Sequence, residues 1–316
     1  MKNSGSGESS ESGPSSAMSD TECRSTRHRA LLAIVGAALL FSTGGVAIKG
    51  IGIEPSGAAP LWIAAGRSLV AALVLLLLVP SARKLDTRVL RVAFSYGATL
   101  VLYVVANRMT TATNAIALQS TAPLHMLVVG PIIYGELLRR RDFVSATCVA
   151  IGTTLILFAN EPVTGVASNP PLGNWLALAS GFTWALTLGG LRSLALAGAS
   201  PLAGTVAGNL CVVVCLAPFL PAIDVPDARA FALVGYLGAF QVALAYVFLT
   251  FGLRHLRAWT ASVVLLIEPV ANPVWTGLAH GEWPAPLAIA GGVVLFGGAT
   301  WAVAPRGRGQ GGDGGG

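Results

Sequence analysis

ASVVLLIEPVANPVWTGLAHGE, Ala261 to Glu282, reads as a membrane-spanning helix with a carboxylate, Glu268, in its middle. It is also the second copy of an earlier stretch, AIALQSTAPLHMLVVGPIIYGE, Ala115 to Glu136. A shift of 146 brings Ala115 onto Ala261, Pro123 onto Pro269, and Gly135-Glu136 onto Gly281-Glu282. Two further segments agree at nearly the same offset. Gly36 and Gly44-Gly45 fall on Gly181 and Gly189-Gly190 with a shift of 145. Distant segments rarely share one offset by chance, so the chain reads as two copies of one unit.

Composition says where that unit lives. Of 316 residues, 54% are hydrophobic and 11% charged, against about 25% charged in a soluble domain. Mean hydropathy is +0.70. This is an integral membrane protein whose apolar surface meets the lipid bilayer. The net charge of +6 does not point to nucleic acid, because the basic residues lie between apolar runs, where orientation rules place them. Cys23, Cys148, Cys211 and Cys215 form no CxxC pair and no ligand cluster with the four histidines, so neither a metal nor a cofactor is expected. Residues 1–29, rich in Ser, Gly and Glu, and residues 305–316, PRGRGQGGDGGG in their setting, read as disordered tails. No signal peptide is expected, since the apolar run from Ala30 exceeds signal length. Met1 and Met18 both remain open as the start.

A span needs roughly 20 apolar residues. The chain offers ten: 30–48, 59–79, 90–107, 112–134, 143–160, 173–192, 200–220, 229–251, 258–279 and 285–304. Ten spans put both termini on one side. From Arg24 onward the flanks and even-numbered loops carry 15 Lys and Arg, the odd loops only Lys49, Arg108 and Arg229. The basic excess assigns the termini and even loops to the cytoplasm of a plasma (inner) membrane protein. The fold class is therefore all-α, with ten transmembrane helices as two inverted five-helix repeats, 30–160 and 173–304, joined by a linker at 161–172. Five is odd, so the second copy enters from the opposite side, an arrangement common in secondary transporters with a midplane site between the halves.

The ten-span plan, the repeated proline followed by Gly-Glu, and IEPV in the ninth span resemble the EamA-like branch of the drug/metabolite transporter superfamily. The resemblance covers about Ala30 to Val303. The fourth-span copy is looser, with TAP where the ninth has IEP, and six extra residues around RRRD stretch the first copy. The resemblance implies a gradient-driven carrier, often an exporter of amino acids or other small metabolites, and names no substrate.

A carboxylate at the bilayer centre costs about 2.5–3.5 kcal/mol on insertion scales. Glu268 lies halfway along its span, and Val264, Glu268, Asn272 and Trp275 share one helical face. Such a stripe faces other helices or a cavity. Two roles are open for Glu268: a group that binds and releases protons, or a fixed partner of an arginine. Arg67, the only charge of the second span, is the matching cation for Glu268 or for an anionic substrate. Pro123 and Pro269 should each kink a helix and free a carbonyl, of Gln119 and Leu265 respectively. Gln119, Tyr103 and Trp184 are further cavity candidates, with Tyr96, Asn107, Trp62, Gln241 and Tyr246 behind them. His125, inside the fourth span, is either a packing residue or a proton relay. Glu136 and Glu282 sit at span ends, where they cap or anchor helices. No nucleotide loop and no nucleophile-and-base set occurs, so an ATP-driven pump or an enzyme is not expected. The reading is a secondary transporter of a small metabolite, exporting it by alternating access coupled to protons. The rivals are an uncoupled exchanger, facilitator or importer, and a non-transporting membrane subunit. The sequence leaves a homodimer open.

Overall fold

The breaks in the helices, more than the helices themselves, set the architecture. The computed structural model describes residues 20–51, 59–84, 87–110, 112–159, 169–222, 227–280, 283 and 285–303, and no strand occurs among them. The first repeat holds α1 (Asp20–Ser42), α2 (Gly44–Gly50), α3 (Ala59–Leu78), α4 (Thr87–Met109), α5 (Ala112–Gln119), α6 (Ala122–Tyr134) and α7 (Arg140–Phe158). The second holds α8 (Pro170–Leu196), α9 (Pro201–Leu216), α10 (Ala228–Tyr236), α11 (Ala245–His255), α12 (Ala258–Val264), α13 (Ile267–His280) and α14 (Pro286–Val303). Between α10 and α11 the chain winds as a π-helix, Leu237–Leu244, within one continuous rod.

Eight stretches among the described residues are long and apolar enough to cross a membrane, and α14 contributes a shorter apolar helix. The sixth expected span, α8, is long but falls outside that set. Its buried face is rich in Gly, Ser and Thr, which suits close packing against other helices. Outward-facing side chains elsewhere are large and apolar, Phe94, Ile132 and Leu78 among them.

Helix starts follow local chemistry. The side chains of Asn169, Ser200 and Asp227 accept hydrogen bonds from the backbone N–H groups of Leu172, Ala203 and Ala230, each satisfying an otherwise orphaned donor. Pro170 and Pro201 occupy the first turn, where a missing N–H costs nothing. At the amino end the expected tail is shorter than 1–29. α1 begins at Asp20.

The two proline-bearing spans are broken, not merely kinked. α5 and α6 part at Ser120–Thr121, and α12 and α13 part at Leu265–Leu266. Pro123 and Pro269 lie in the first turn of the helix after each break. The expectation of a free Leu265 carbonyl is corrected: it accepts the Glu268 N–H at 2.9 Å. The Gln119 carbonyl faces α8 at Gly181, where an added Cβ would stand only 3.0 Å away. Two further prolines, Pro131 and Pro273, sit inside α6 and α13.

Packing joins the repeats rather than separating them. α4 packs on α8 and α9, α3 on α9 and the π-helix, and α1 on α11 and α13, while α5 and α6 lie along α8. α7 and α14 cross closely. A Cβ on Gly152 would lie 2.8 Å from the Gly291 carbonyl, and the Ser145 hydroxyl donates to the Gly298 carbonyl at 2.7 Å. Partner numbers fall as α7 rises, so the two helices run antiparallel. Small residues permit such an approach.

One end of the bundle is tied by charge. Glu136 accepts from the N–H groups of Ala258 and Trp259, at 2.8 and 3.3 Å, and so caps α12 across the repeat boundary. Arg192 pairs with Glu136 at 3.1 Å and donates to the carbonyls of Leu253 and Leu256, which end α11. Arg257 reaches Asp142 at 2.9 Å and the Leu137 carbonyl at 2.6 Å. These residues come from the fourth, sixth and eighth loops of the sequence, which therefore share one end. Glu282, the second expected capping glutamate, lies outside the described residues.

Candidate functional site

Inside the bundle, helices from both repeats line a cavity of about 60 Å3. The first repeat contributes Phe41 from α1, Arg67 from α3, Thr99, Leu100 and Tyr103 from α4, and Gln119 from α5. From the second come Trp184 on α8, Gln241 and Val242 on the π-helix, Tyr246 on α11 and Glu268 on α13. The mixture of aromatic walls with a few polar groups is typical of a small-molecule site.

Each polar group has a local reason for its position. Glu268 is the second residue of α13, so the break before it turns the carboxylate into the bundle. Gln119 ends α5 at the matching break. Gln241 lies on the π-helix, whose wider turn displaces the side chains that follow it, a feature frequent at functional sites. Arg67 is the ninth residue of α3 and only 2% exposed. Its Nε and Nη2 atoms, shut off from solvent, have no hydrogen-bond partner among the described residues. No ion pair within 4.0 Å joins it to Glu268. The cavity thus holds a cation and a carboxylate, one from each repeat, that do not touch.

The apolar wall is ordered. Phe41 meets Tyr246 and Trp184 edge-on, with ring centroids 5.4 and 6.2 Å apart, the arrangement aromatic quadrupoles prefer. A hydroxyl seam backs it between α4 and α8. Thr99 donates to Thr183 at 2.9 Å and Thr187 to Ser95 at 3.2 Å.

Five residues expected at the site, Glu268, Arg67, Gln119, Tyr103 and Trp184, line this cavity, as do Gln241 and Tyr246. Asn272 does not. It is buried against α2, where a Cβ on Gly45 would stand 2.7 Å from its amide nitrogen. Trp275, on the same expected face, donates its indole N–H to Ser42 at 2.8 Å. His125 also lies away from the cavity, beside the Thr121 hydroxyl at 3.3 Å and edge-on to Phe182. Tyr96 is fully buried and accepts from Asn209 at 2.9 Å, and Trp62 packs on Phe231. Sequence reasoning missed Phe41, Thr99, Leu100 and Val242. Only the hydroxyl seam carried a signal, in the four-residue spacing of Ser95 with Thr99 and of Thr183 with Thr187. Among the described residues no group of His, Cys, Asp and Glu could hold a metal ion.

A family model described as the EamA-like transporter family matches residues 28–158 and again 171–304. The chain is similar to a solved structure described only as the crystal structure of a protein. The two are 20% identical over 87% of this chain and 96% of that one, with a TM-score of 0.70. That likeness bears on the fold alone. No curated protein matches the chain.

Proposed function

The chain belongs to the EamA-like transporter family, within the drug/metabolite transporter superfamily, and on that premise we propose that it is a secondary transporter exporting a small metabolite by alternating access, coupled to protons through Glu268. As a multi-pass membrane protein it would sit in the plasma membrane with both termini cytoplasmic. Its ten spans would form two inverted five-helix halves. The antiparallel α7–α14 crossing supports the inversion. α7 and α14 are the fifth spans of their repeats, and they meet through Gly152 with Gly291 and Ser145 with Gly298. A two-fold that exchanges antiparallel helices in this way lies across them, in the membrane plane.

The observation that carries the reading is the cavity shared by the repeats, with Arg67 from one and Glu268 from the other left unpaired across it. A fixed structural pair would be in contact. A carboxylate with no ion-pair partner in the cavity is free to exchange a proton as access alternates. Leu100 and Tyr246, equivalent under the shift of 146, both line the space, so the proposed axis passes close to it. The end tied by Glu136, Arg192 and Arg257 is the closed end of the pathway in this conformation.

The test is flux in proteoliposomes containing the purified protein, run over a panel of labelled metabolites with and without a pH gradient. Wild type should show gradient-driven flux. Glu268→Gln, which cannot lose a proton, should ignore the gradient while keeping counterflow of bound cargo. A mutant that follows the gradient like wild type removes Glu268 from coupling. Absence of flux for every compound would favour a membrane subunit.

A further inference from the structure

Arg67 poses a chemical problem that the residues lining the cavity do not solve. An uncompensated buried cation is strongly unfavourable, and an arginine cannot shed its charge. Its Nε and Nη2 lie along one edge of the guanidinium, the edge that matches a carboxylate with two parallel hydrogen bonds, and both lack partners among the described residues. The carboxylate already in the cavity, Glu268, does not fill that edge. We infer that Arg67 is a carboxylate-binding subsite: the cargo is a small organic acid whose carboxylate docks on the open edge of the guanidinium while its apolar body lies against Phe41, Trp184 and Tyr246. This assignment of substrate class rests on the transporter reading above.

Charge selects the class. The cavity carries one cation and one carboxylate. A dianion such as a phosphate monoester would face Glu268 with a single arginine to hold it. A monocarboxylate leaves one negative charge in excess, and Glu268 absorbs it by taking a proton or by facing a cationic group on the cargo itself. The planar fork also favours a flat carboxylate over a tetrahedral anion held by a point charge. The aromatic triad, with centroids 5.4 to 6.2 Å apart, offers ring edges and faces to an apolar body of matching width.

The probes are 3-phenylpropanoate and its neutral amide, 3-phenylpropanamide, which differ only in the group that would meet Arg67. Purified full-length protein in lipid nanodiscs is titrated with each, following tryptophan fluorescence, with Trp184→Phe identifying the signal from the cavity. Wild type should bind the acid saturably and the amide about 10–100-fold more weakly, as expected for loss of a charge-assisted contact. Arg67→Gln should abolish that preference, and Arg67→Lys, which keeps the charge and loses the fork, should fall between. Thermal unfolding without probe distinguishes a lost subsite from a lost fold: Arg67→Gln should unfold no lower than wild type, because it removes an unpartnered cation. If that variant fails to fold, Arg67→Lys carries the comparison. Equal binding of acid and amide, no saturable binding of the acid, or an acid preference that survives Arg67→Gln overturns the inference. Gradient-driven flux of some metabolite without any acid preference overturns the subsite and leaves the carrier standing. Selective acid binding without flux of any compound does the reverse.

Discussion

At the scale of the residue, the charged centre of the site was legible and its apolar wall was not. Glu268 and Arg67 stood out because a charge in an apolar span demands a reason, and both line the cavity. Phe41, Leu100 and Val242 line it too, yet an apolar residue in an apolar helix gives no sign of whether it meets lipid, a neighbour or a void. Asn272 failed for a geometric reason. Its placement beside Glu268 and Val264 assumed one regular helix, but the turn at Leu265–Leu266 falls between Val264 and Glu268 and resets the face. His125 failed because its span is broken at Ser120–Thr121 and α6 turns it toward Phe182. Its neighbours are the hydroxyl of Thr121, which precedes α6, and the Phe182 ring, and it is not among the residues lining the cavity. His125→Asn should therefore leave the response of flux to a pH gradient unchanged, in the same vesicles in which Glu268→Gln loses it. A lost response in His125→Asn would make it a relay after all.

At the scale of the element, helix positions followed from hydropathy, while breaks and pairings did not. Proline chemistry announced a disturbance at residues 123 and 269. It could not say that the chain would stop and restart, with each proline in a first turn where it fits. Nor could the sequence show that Glu136, at the end of α6, caps α12 in the other repeat. That carboxylate serves two partners at once, the start of α12 and the guanidinium of Arg192, which in turn closes the end of α11. Glu136→Gln and Arg192→Gln should each lower stability. Their double mutant should lose less than the sum, with a coupling of about 0.5–3 kcal/mol, as for other groups sharing one network. The check is a double-mutant cycle of thermal or denaturant unfolding in one detergent. Additive effects would mean that the pair is a bystander and the α12 cap stands alone. Because the network joins the repeats at that end, its loss should also favour conformations open there.

At the scale of the whole molecule, duplication was the most readable property of the chain. One offset aligned distant segments, and the family model matches twice over nearly the same halves. The packing between halves was invisible, since a repeat in sequence does not state which faces meet. The structure pairs α4 with α8 and α1 with α11, and sets α7 against its own counterpart α14. That last seam has a consequence for ancestry and for engineering. A surface that touches its own duplicate is self-complementary, the defining property of a two-fold homodimer interface. The helix of a single five-helix ancestor could have met another copy through the same face before the two genes were fused. The peptide link across residues 160–168 would then be a convenience of synthesis rather than a structural need. Two separately expressed fragments, 1–164 and 165–316, should find each other in the membrane and co-purify. Gly152→Leu in the first fragment should abolish capture of the second, because no side chain fits where the Gly291 carbonyl approaches. Fragments that never associate, or that associate equally well with leucine at the crossing, would show that the seam records a shared origin without holding the halves together.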